Sequence, residues 1–243
     1  MNNPIYKPKG KAGEYADLAL NIYTSCNHGC NYCFAEKMHN RWHPNEPFGK
    51  DVKVREGIIE ATKKQLTTGK LKGKNILLCF TCDPYCGDID TTPTREIIQA
   101  IKDAGANFTV LTKGGMRAYR DFDLYSEGDS FGTTLTVRNN SELWEKGAAS
   151  PIDRMLAIQT AKHMGIRTWV SLEPIIIPAD TLDFIHILHD YVDLWKVGRW
   201  NYDSRANMIP WKQVGENTEM VLKMHGCNYY IKDDLRAEME ATP

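Results

Sequence analysis

The segment from Thr24 to Cys33, which reads TSCNHGCNYC, contains three cysteines within eight residues. Thiolate sulfur is a soft ligand that selects zinc or iron–sulfur clusters. A structural zinc site normally has four ligands arranged in pairs, and an ordinary [4Fe-4S] cluster likewise takes four thiolates. Three cysteines with no fourth nearby therefore indicate a cluster in which one iron keeps an open position. A substrate or cofactor is able to bind at such an iron.

The spacing Cys26-x3-Cys30-x2-Cys33, with Tyr32 directly before the third cysteine, resembles the signature of radical S-adenosylmethionine (SAM) enzymes. This resemblance implies that the three cysteines ligate a [4Fe-4S] cluster whose open iron binds SAM. It also implies that one electron from the cluster cleaves SAM to a 5′-deoxyadenosyl radical, which abstracts a hydrogen atom from the substrate. In such chemistry the protein supplies binding, orientation and exclusion of side reactions. The family further implies a flavodoxin- or ferredoxin-type reductant.

A zinc knuckle with His28 or His39 as fourth ligand is the alternative interpretation, although such zinc sites pair their ligands differently. The chain holds seven cysteines, an odd number that argues against a disulfide framework and fits a metal site in a reducing, cytoplasmic environment. The net charge of −1 gives no global signal for nucleic acid. No apolar run is long enough to span a bilayer, and the N-terminal residues lack the apolar core of a signal peptide. We therefore expect no membrane partner.

The rest of the chain alternates strand and helix patterns, which indicates βαβ units and a parallel sheet. Its length of 243 residues suits a single domain, 1–243. Six such units, with a candidate seventh strand at the C-terminus, match the partial (β/α)6 TIM-like barrel on which radical SAM enzymes are built. The predicted strands are 18–23, 75–80, 108–111, 131–137, 167–172, 194–197 and 228–231, and the predicted helices are 52–66, 92–105, 117–125, 150–165, 181–189 and 209–224.

Polar side chains follow the predicted strands, at the ends where barrel enzymes place their working residues. Any one of them is equally well explained by a strand end that meets solvent. All six ends together favour a site. After the cysteine segment, these stretches are 81–85, 112–115, Arg138, Glu173 and 198–201.

Six blocks resemble the spore photoproduct lyase, or DNA repair photolyase-like, branch of the superfamily. They are 21–23, 28–29, 81–85, 111–113, 120–124 and 169–174. The resemblance runs from about Glu14 to Tyr202, and it is what suggests a lyase acting in DNA repair.

The same resemblance implies which side chains contact SAM. Tyr32 packs near the adenine, Thr81 and Asp83 lie at the methionine amino group, and Lys113 and Thr134 lie at the carboxylate and ribose. A compact cation with rotatable donors suits a carboxylate, although a solvated lysine explains Lys113 equally well. Glu173 has two interpretations, which are a hydrogen bond to the cofactor and an ion pair in the core. The complete predicted cofactor-binding set is Tyr32, Thr81, Asp83, Lys113, Thr134 and Glu173.

One departure from the lyases concerns the hydrogen donor. The lyases place a donor cysteine immediately before the threonine of the second block, where this chain has Phe80. We predict that Cys82 and Cys86, in the following loop, are the catalytic thiols instead. Because side chains alternate along a strand, Cys79 points away from Phe80, and we interpret it as a buried core residue. A second cluster formed by Cys79, Cys82 and Cys86 is the alternative.

Nucleic acid is the candidate substrate, because two stretches interleave cations with aromatic rings that suit phosphates and stacked bases. Neighbouring acidic residues dilute the first stretch, so a solvated lid loop is its other interpretation. A radical enzyme acting on a small molecule or peptide is the alternative function, and a non-catalytic metal-binding adaptor is the third. The residues concerned are Lys37, His39, Arg41, Trp42, His43, Lys50, Lys53 and Arg55, and at the opposite rim Arg199, Trp200, Tyr202 and Arg205.

Overall fold

Seven parallel strands form one sheet in which each strand lies beside its neighbour in sequence. The computed structural model describes residues 3–241, so the first two and last two residues of the predicted 1–243 domain lie outside the described residues. Alternating helices connect the strands, which confirms the predicted α/β partial barrel. The seventh strand is a member of the sheet, because Val197 pairs with Ile231. The strands are β1 (Ala19–Leu20), β2 (Asn75–Leu78), β3 (Asn107–Thr112), β4 (Ser130–Thr134), β5 (Arg167–Leu172), β6 (Leu194–Val197) and β7 (Tyr229–Ile231).

The helices pack their apolar faces on the outside of the sheet. In α3, for example, Pro93 stands in the first turn, and Ile97, Ile98 and Ile101 are completely buried. Burying each such side chain stabilises the fold by about 1.5–3 kcal/mol. Among residues 3–241, no helix is both long enough and apolar enough to cross a bilayer. The helices are α1 (Phe34–Trp42), α2 (Ile58–Leu66), α3 (Thr92–Asp103), α4 (Pro151–His163), α5 (Pro178–Leu188), α6 (Trp211–Met224) and α7 (Asp233–Glu240).

A small second core, formed by Ala19, Leu77 and Trp169, lies apart from the main hydrophobic cluster. The Trp169 indole donates a hydrogen bond from Nε1 to the Val110 carbonyl, 3.1 Å away. A Cβ on Gly132 would stand 2.3 Å from the indole, so this glycine makes room for the ring. The Trp169 ring thus occupies the space that a side chain at position 132 would need.

The first two strands are shorter than predicted, because a side chain replaces the strand ladder. The Asn21 Oδ1 accepts hydrogen bonds from the backbone N–H of Phe80 (2.8 Å) and Thr81 (2.9 Å). Such side-chain contacts compete with regular pairing. Tyr23 instead forms an antiparallel bridge with Val54, so the helix predicted from residue 52 begins at Ile58.

Two helices are absent from the prediction, and one has a different type. The segment after the cysteines, interpreted as a lid loop, contains α1, in which only Ala35 is buried, so its apolar side chains do not pack into the core. Near the C-terminus, α7 buries only Leu235. The predicted helix 117–125 is a 3-10 helix over Gly115–Leu124. The strand predicted over 131–137 ends at Thr134, where the site begins.

Candidate active site

A cavity of about 570 Å³ opens at the carboxyl ends of the strands. Its volume lies within the roughly 300–1,000 Å³ range of small-molecule sites. Residues that follow β2, β3, β5, β6 and β7 contribute to its wall, as does Thr134 at the end of β4. The sequence-predicted residues that line it are Cys26, Cys30, Tyr32, Cys33, Thr81, Cys82, Asp83, Lys113, Thr134 and Glu173.

The cysteine segment is held in place by backbone contacts with residues 144–147. Asn31 N–H donates to the Trp144 carbonyl (2.8 Å), and Gly147 N–H donates to the His28 carbonyl (2.8 Å). A Cβ on Gly147 would stand 2.4 Å from the Asn27 carbonyl oxygen. Only glycine at position 147 therefore allows these two backbone segments to approach this closely.

Replacing Gly147 with alanine should displace the cysteine segment. Overpacking of this kind typically costs about 1–3 kcal/mol, and here the atoms that must move are backbone atoms beside the thiols. We expect a lower melting temperature and a larger proportional loss of bound iron, measured by iron analysis after anaerobic reconstitution. Gly13→Ala is the matched control, since its nearest neighbour would be a carbonyl oxygen 3.7 Å away. Full iron content in Gly147→Ala would contradict the positioning role.

The three thiols fit a metal cluster chemically. Burial raises the pKa of Cys30 to about 12, and burial also raises the pKa of Cys33. For Cys26, the neighbouring Cys86 thiol and then burial raise the pKa. Ionised thiolates are therefore costly here unless a cation compensates, and bound iron deprotonates its thiol ligands. Cys26, Cys30 and Cys33 also border a second cavity of about 90 Å³.

The histidines are not arranged for the zinc knuckle. One ligand atom each of Cys26, His28 and Cys86 lies within 4.8 Å of the others. His28 is thus grouped with Cys86 rather than with Cys30 and Cys33. The ring of His39 contacts the Glu46 carbonyl (2.9 Å) instead of a thiol.

Asp83 links the second and third strand ends. Its carboxylate accepts hydrogen bonds from the Thr112 hydroxyl (2.6 Å), the Lys113 N–H (2.8 Å) and the Tyr85 N–H (2.8 Å). Its Oδ2 lies 3.5 Å from His28 Nδ1. These contacts fix one wall of the cavity, while the predicted contact of Asp83 with SAM stays a prediction.

A buried polar network supports the cysteine segment from behind. The Tyr32 hydroxyl donates to the Glu145 carboxylate, which forms an ion pair with Arg154, and both charged side chains are fully buried. Arg154 also donates to the Thr134 carbonyl (2.8 Å). The Lys113 ammonium lies 5.5 Å from the centre of the Tyr32 ring. Sequence reasoning missed Glu145 and Arg154, because neither belongs to a motif.

The opposite wall contains an ion pair that was one of the two interpretations of Glu173. Lys232 Nζ lies 2.8 Å from Glu173 Oε2, and the Tyr15 hydroxyl also donates to that carboxylate. The Tyr15 hydroxyl contacts the Ser171 hydroxyl as well, at 2.9 Å. Glu173 is thus engaged in an ion pair, and its predicted contact with the cofactor stays a prediction. Tyr15 and Lys232 also line the cavity, and no sequence motif marked them.

Lys196, beside this network, should give the protein a distinctive pH dependence. Burial, and then the positive charge of Lys232, lower its pKa to about 8, against about 10.4 in an unfolded chain. Between these values the unfolded chain binds the extra proton, so wild-type stability gains a contribution as pH rises from about 8 to about 10.4. Lys196→Met removes this contribution. We expect the free energy of unfolding of the variant, relative to that of wild type, to be lower at pH 10 than at pH 7.5, as measured by urea denaturation. An unchanged difference would contradict the lowered pKa.

The remaining cysteines lie differently from the prediction. All seven cysteines are free thiols. Cys82 lines the cavity, but Cys86 is not among the described residues that line it, and its thiol donates to the Asp83 carbonyl (3.5 Å). Cys79 belongs to the main hydrophobic core, as predicted, and it also lines the cavity beside Cys82. The thiols of the alternative second cluster therefore face different neighbours.

Comparisons with known proteins agree with this geometry. A family model described as the Radical SAM superfamily matches residues 20–191. The uncharacterized protein MJ0683 of Methanocaldococcus jannaschii is 29% identical over 178 residues, covering 71% of this chain and 65% of that protein. The uncharacterized protein ORF301 of Acidianus two-tailed virus is 28% identical over 196 residues, covering 72% and 64%. The match thus covers slightly less than two thirds of the length of these relatives.

Two solved structures are similar in fold. A spore photoproduct lyase mutant with bound AdoMet and dinucleoside spore photoproduct superposes with a TM-score of 0.71 at 13% identity, covering 94% of this chain and 78% of that chain. Streptococcus suis SuiB bound to its precursor peptide SuiA superposes with a TM-score of 0.68 at 11% identity, covering 91% and 50%. At these identities the likeness establishes the fold and leaves the substrate open.

Proposed function

The chain belongs to the radical SAM superfamily, and we propose that it cleaves SAM reductively to obtain a 5′-deoxyadenosyl radical for hydrogen abstraction. The family uses a [4Fe-4S] cluster, which supplies the electron, and SAM, which supplies the radical. The observation that supports the proposal best is that Cys26, Cys30 and Cys33 line one cavity at the strand ends. We propose these three thiols as the cluster ligands.

The other wall residues bind and orient the cofactor in this proposal. Lys113 is a half-buried cation that holds the SAM carboxylate, because burial acts to lower its pKa but the neighbouring Cys30 and Glu145 outweigh that effect and raise it. Thr81 and Asp83 orient the methionine amino group, and Tyr32 and Thr134 contact the adenosine.

Reconstitution under anaerobic conditions tests this proposal. We expect a brown protein with bound iron that produces 5′-deoxyadenosine after reduction in the presence of SAM. We propose a flavodoxin- or ferredoxin-type reductant and a reducing, cytoplasmic location, since all the cysteines are free thiols. A colourless protein that binds zinc and produces no 5′-deoxyadenosine would support the adaptor alternative instead.

We propose single-stranded nucleic acid as the substrate, because exposed rings lead from solvent to the cavity. Phe34 and Met38 line the cavity, and Trp42 follows them on the same face of α1 at a spacing of four residues. Trp42 and Tyr202 are 71% and 72% exposed. Every base has a face that stacks on such rings.

Charged contacts are weaker support than the sequence suggested. Lys37 donates to the Tyr202 carbonyl (2.7 Å), Arg55 donates to the Tyr23 carbonyl (2.8 Å), and Lys53 pairs with Asp51. These cations already have partners within the protein. Binding should therefore depend more on stacking than on phosphate contacts, with a shallow salt dependence.

Trp42→Ala and Tyr202→Ala should each weaken binding of a single-stranded oligonucleotide by about 5- to 100-fold, since stacking contributes roughly 1–3 kcal/mol per base. Fluorescence anisotropy measures the affinity. Tyr119→Ala is the matched control, because this ring is 52% exposed and is not among the described residues that line the cavity. Equal affinities for all three variants, or no binding by wild type, would favour the small-molecule or peptide alternative.

A further inference from the structure

Two thiols stand side by side in the wall of the cavity, at the end of β2. Cys79 and Cys82 are separated by two residues, are 4% and 8% exposed, and both line the cavity. The Cys82 thiol lies close enough to Cys79 to raise the pKa of that thiol. The third thiol of this region, Cys86, donates to the Asp83 carbonyl instead (3.5 Å) and lies within 4.8 Å of the Cys26 sulfur. The structure thus separates Cys79 and Cys82 as a pair.

The position of Cys82 is fixed by the end of β1. Its sulfur accepts a hydrogen bond from the Tyr23 N–H (3.4 Å), and its S–H is directed to Asn21 Oδ1 (4.0 Å). The same Asn21 oxygen binds the backbone N–H groups of Phe80 and Thr81, which lie between the two cysteines. One side chain therefore sets the geometry of the whole turn.

Cys79 is held in its protonated form. Burial, and then the neighbouring Cys82 thiol, raise the pKa of Cys79 well above its ordinary value. At neutral pH it therefore keeps its S–H. A protonated Cys79 has a proton to release when its sulfur forms a bond to another sulfur.

Resting on the proposed function, we propose that Cys79 and Cys82 are a dithiol hydrogen donor for the carbon radical formed in the cavity. The Cys82 S–H bond breaks as the C–H bond of the product forms, and a sulfur radical remains. That sulfur then bonds to the sulfur of Cys79, which releases its proton to solvent. The remaining electron passes to an oxidised iron–sulfur electron carrier. The dithiol is thus oxidised by two electrons to a disulfide, and an external dithiol reduces it again by exchange.

The disulfide itself is the test, because it can be measured independently of 5′-deoxyadenosine. The holoenzyme is reduced with one equivalent of a thiol-free reductant, mixed with SAM, and given oxidised ferredoxin as electron acceptor. After quenching in acid and alkylation, trypsin releases peptide 75–95, which holds Cys79, Cys82 and Cys86. We expect this peptide to lose two hydrogens through an internal disulfide, in proportion to the 5′-deoxyadenosine produced. A sample without SAM should stay reduced.

Three variants identify the partners. The internal disulfide should persist in Cys86→Ser and be absent in Cys79→Ser and Cys82→Ser. A peptide that stays reduced while 5′-deoxyadenosine accumulates, or a disulfide that requires Cys86, overturns the dithiol proposal and leaves the proposed function intact. A wild type that produces no 5′-deoxyadenosine overturns the proposed function itself, and this proposal with it.

Discussion

Replacing Cys26, Cys30 or Cys33 with alanine should abolish 5′-deoxyadenosine formation and reduce bound iron to the background level. Each thiol lines the cavity from the same segment, so the loss of one leaves two ligands for a cluster that already has an open iron. Iron analysis and chromatography of the reaction products measure the two effects. Cys227→Ala is the control, because Cys227 packs against the last part of the sheet and is not among the described residues that line the cavity.

These variants should nevertheless fold, which separates loss of the cluster from loss of the structure. Since burial raises the pKa of Cys30 to about 12, the metal-free chain carries a neutral thiol there. Alanine then removes a small apolar group without leaving an unpaired charge. We expect unchanged far-UV circular dichroism for the metal-free variants. Turnover retained in any one of the three would remove that residue from the ligand set.

The strands that the sequence located best are those whose pattern is interrupted least. The observed bounds of β5 and β6 equal the predicted ones, and both strands pair with a neighbouring strand on each side. In contrast, β1 is two residues long, because Asn21 takes over the hydrogen bonds of the next strand. Local sequence propensity does not reveal that competition, because the hydrogen-bond partners of Asn21 are Phe80 and Thr81, which are distant in sequence.

The site residues, too, were predictable only where they are close together in sequence. The three cysteines and the polar strand ends are local in sequence, and parallel strands bring such ends to one edge of a barrel. Tyr15, Glu173 and Lys232 come together only because the first and last parts of the described chain meet at the cavity. The cavity is lined by Cys79 rather than by the predicted Cys86 for a similar reason. The turn after β2, and not the spacing of the cysteines, decides which thiol faces the cavity.

The second large effect concerns the buried ion pair behind the cysteine segment. Arg154→Ala should destabilise the protein by about 3–5 kcal/mol, because it leaves the charge of Glu145 buried without its partner. Urea denaturation followed by circular dichroism measures this. Arg138→Ala is the matched control, since its pair with Asp183 is half-exposed and such pairs contribute about 0.2–1 kcal/mol.

The pH dependence of Arg154→Ala tests the cause. In the wild type, burial acts to raise the pKa of Glu145, but Arg154 and Lys113 outweigh it, so the pKa lies below the usual value. Without Arg154, burial should outweigh the remaining positive charge of Lys113. The pKa of Glu145 in the folded variant should then rise above the unfolded value of about 4.3. The folded variant then binds the extra proton, so its deficit relative to wild type should shrink as pH falls toward 5.

A double variant distinguishes the unpaired charge from lost packing. Glu145→Gln combined with Arg154→Met removes both charges, keeps a hydrogen-bond acceptor for Tyr32 and nearly keeps the buried volume. Replacing a buried ion pair by neutral groups of similar size is often close to neutral in stability. The double variant should therefore recover most of the stability lost in Arg154→Ala. If it is as unstable as the single variant, then packing around Arg154, and not the isolated charge of Glu145, holds the support of the cysteine segment in place.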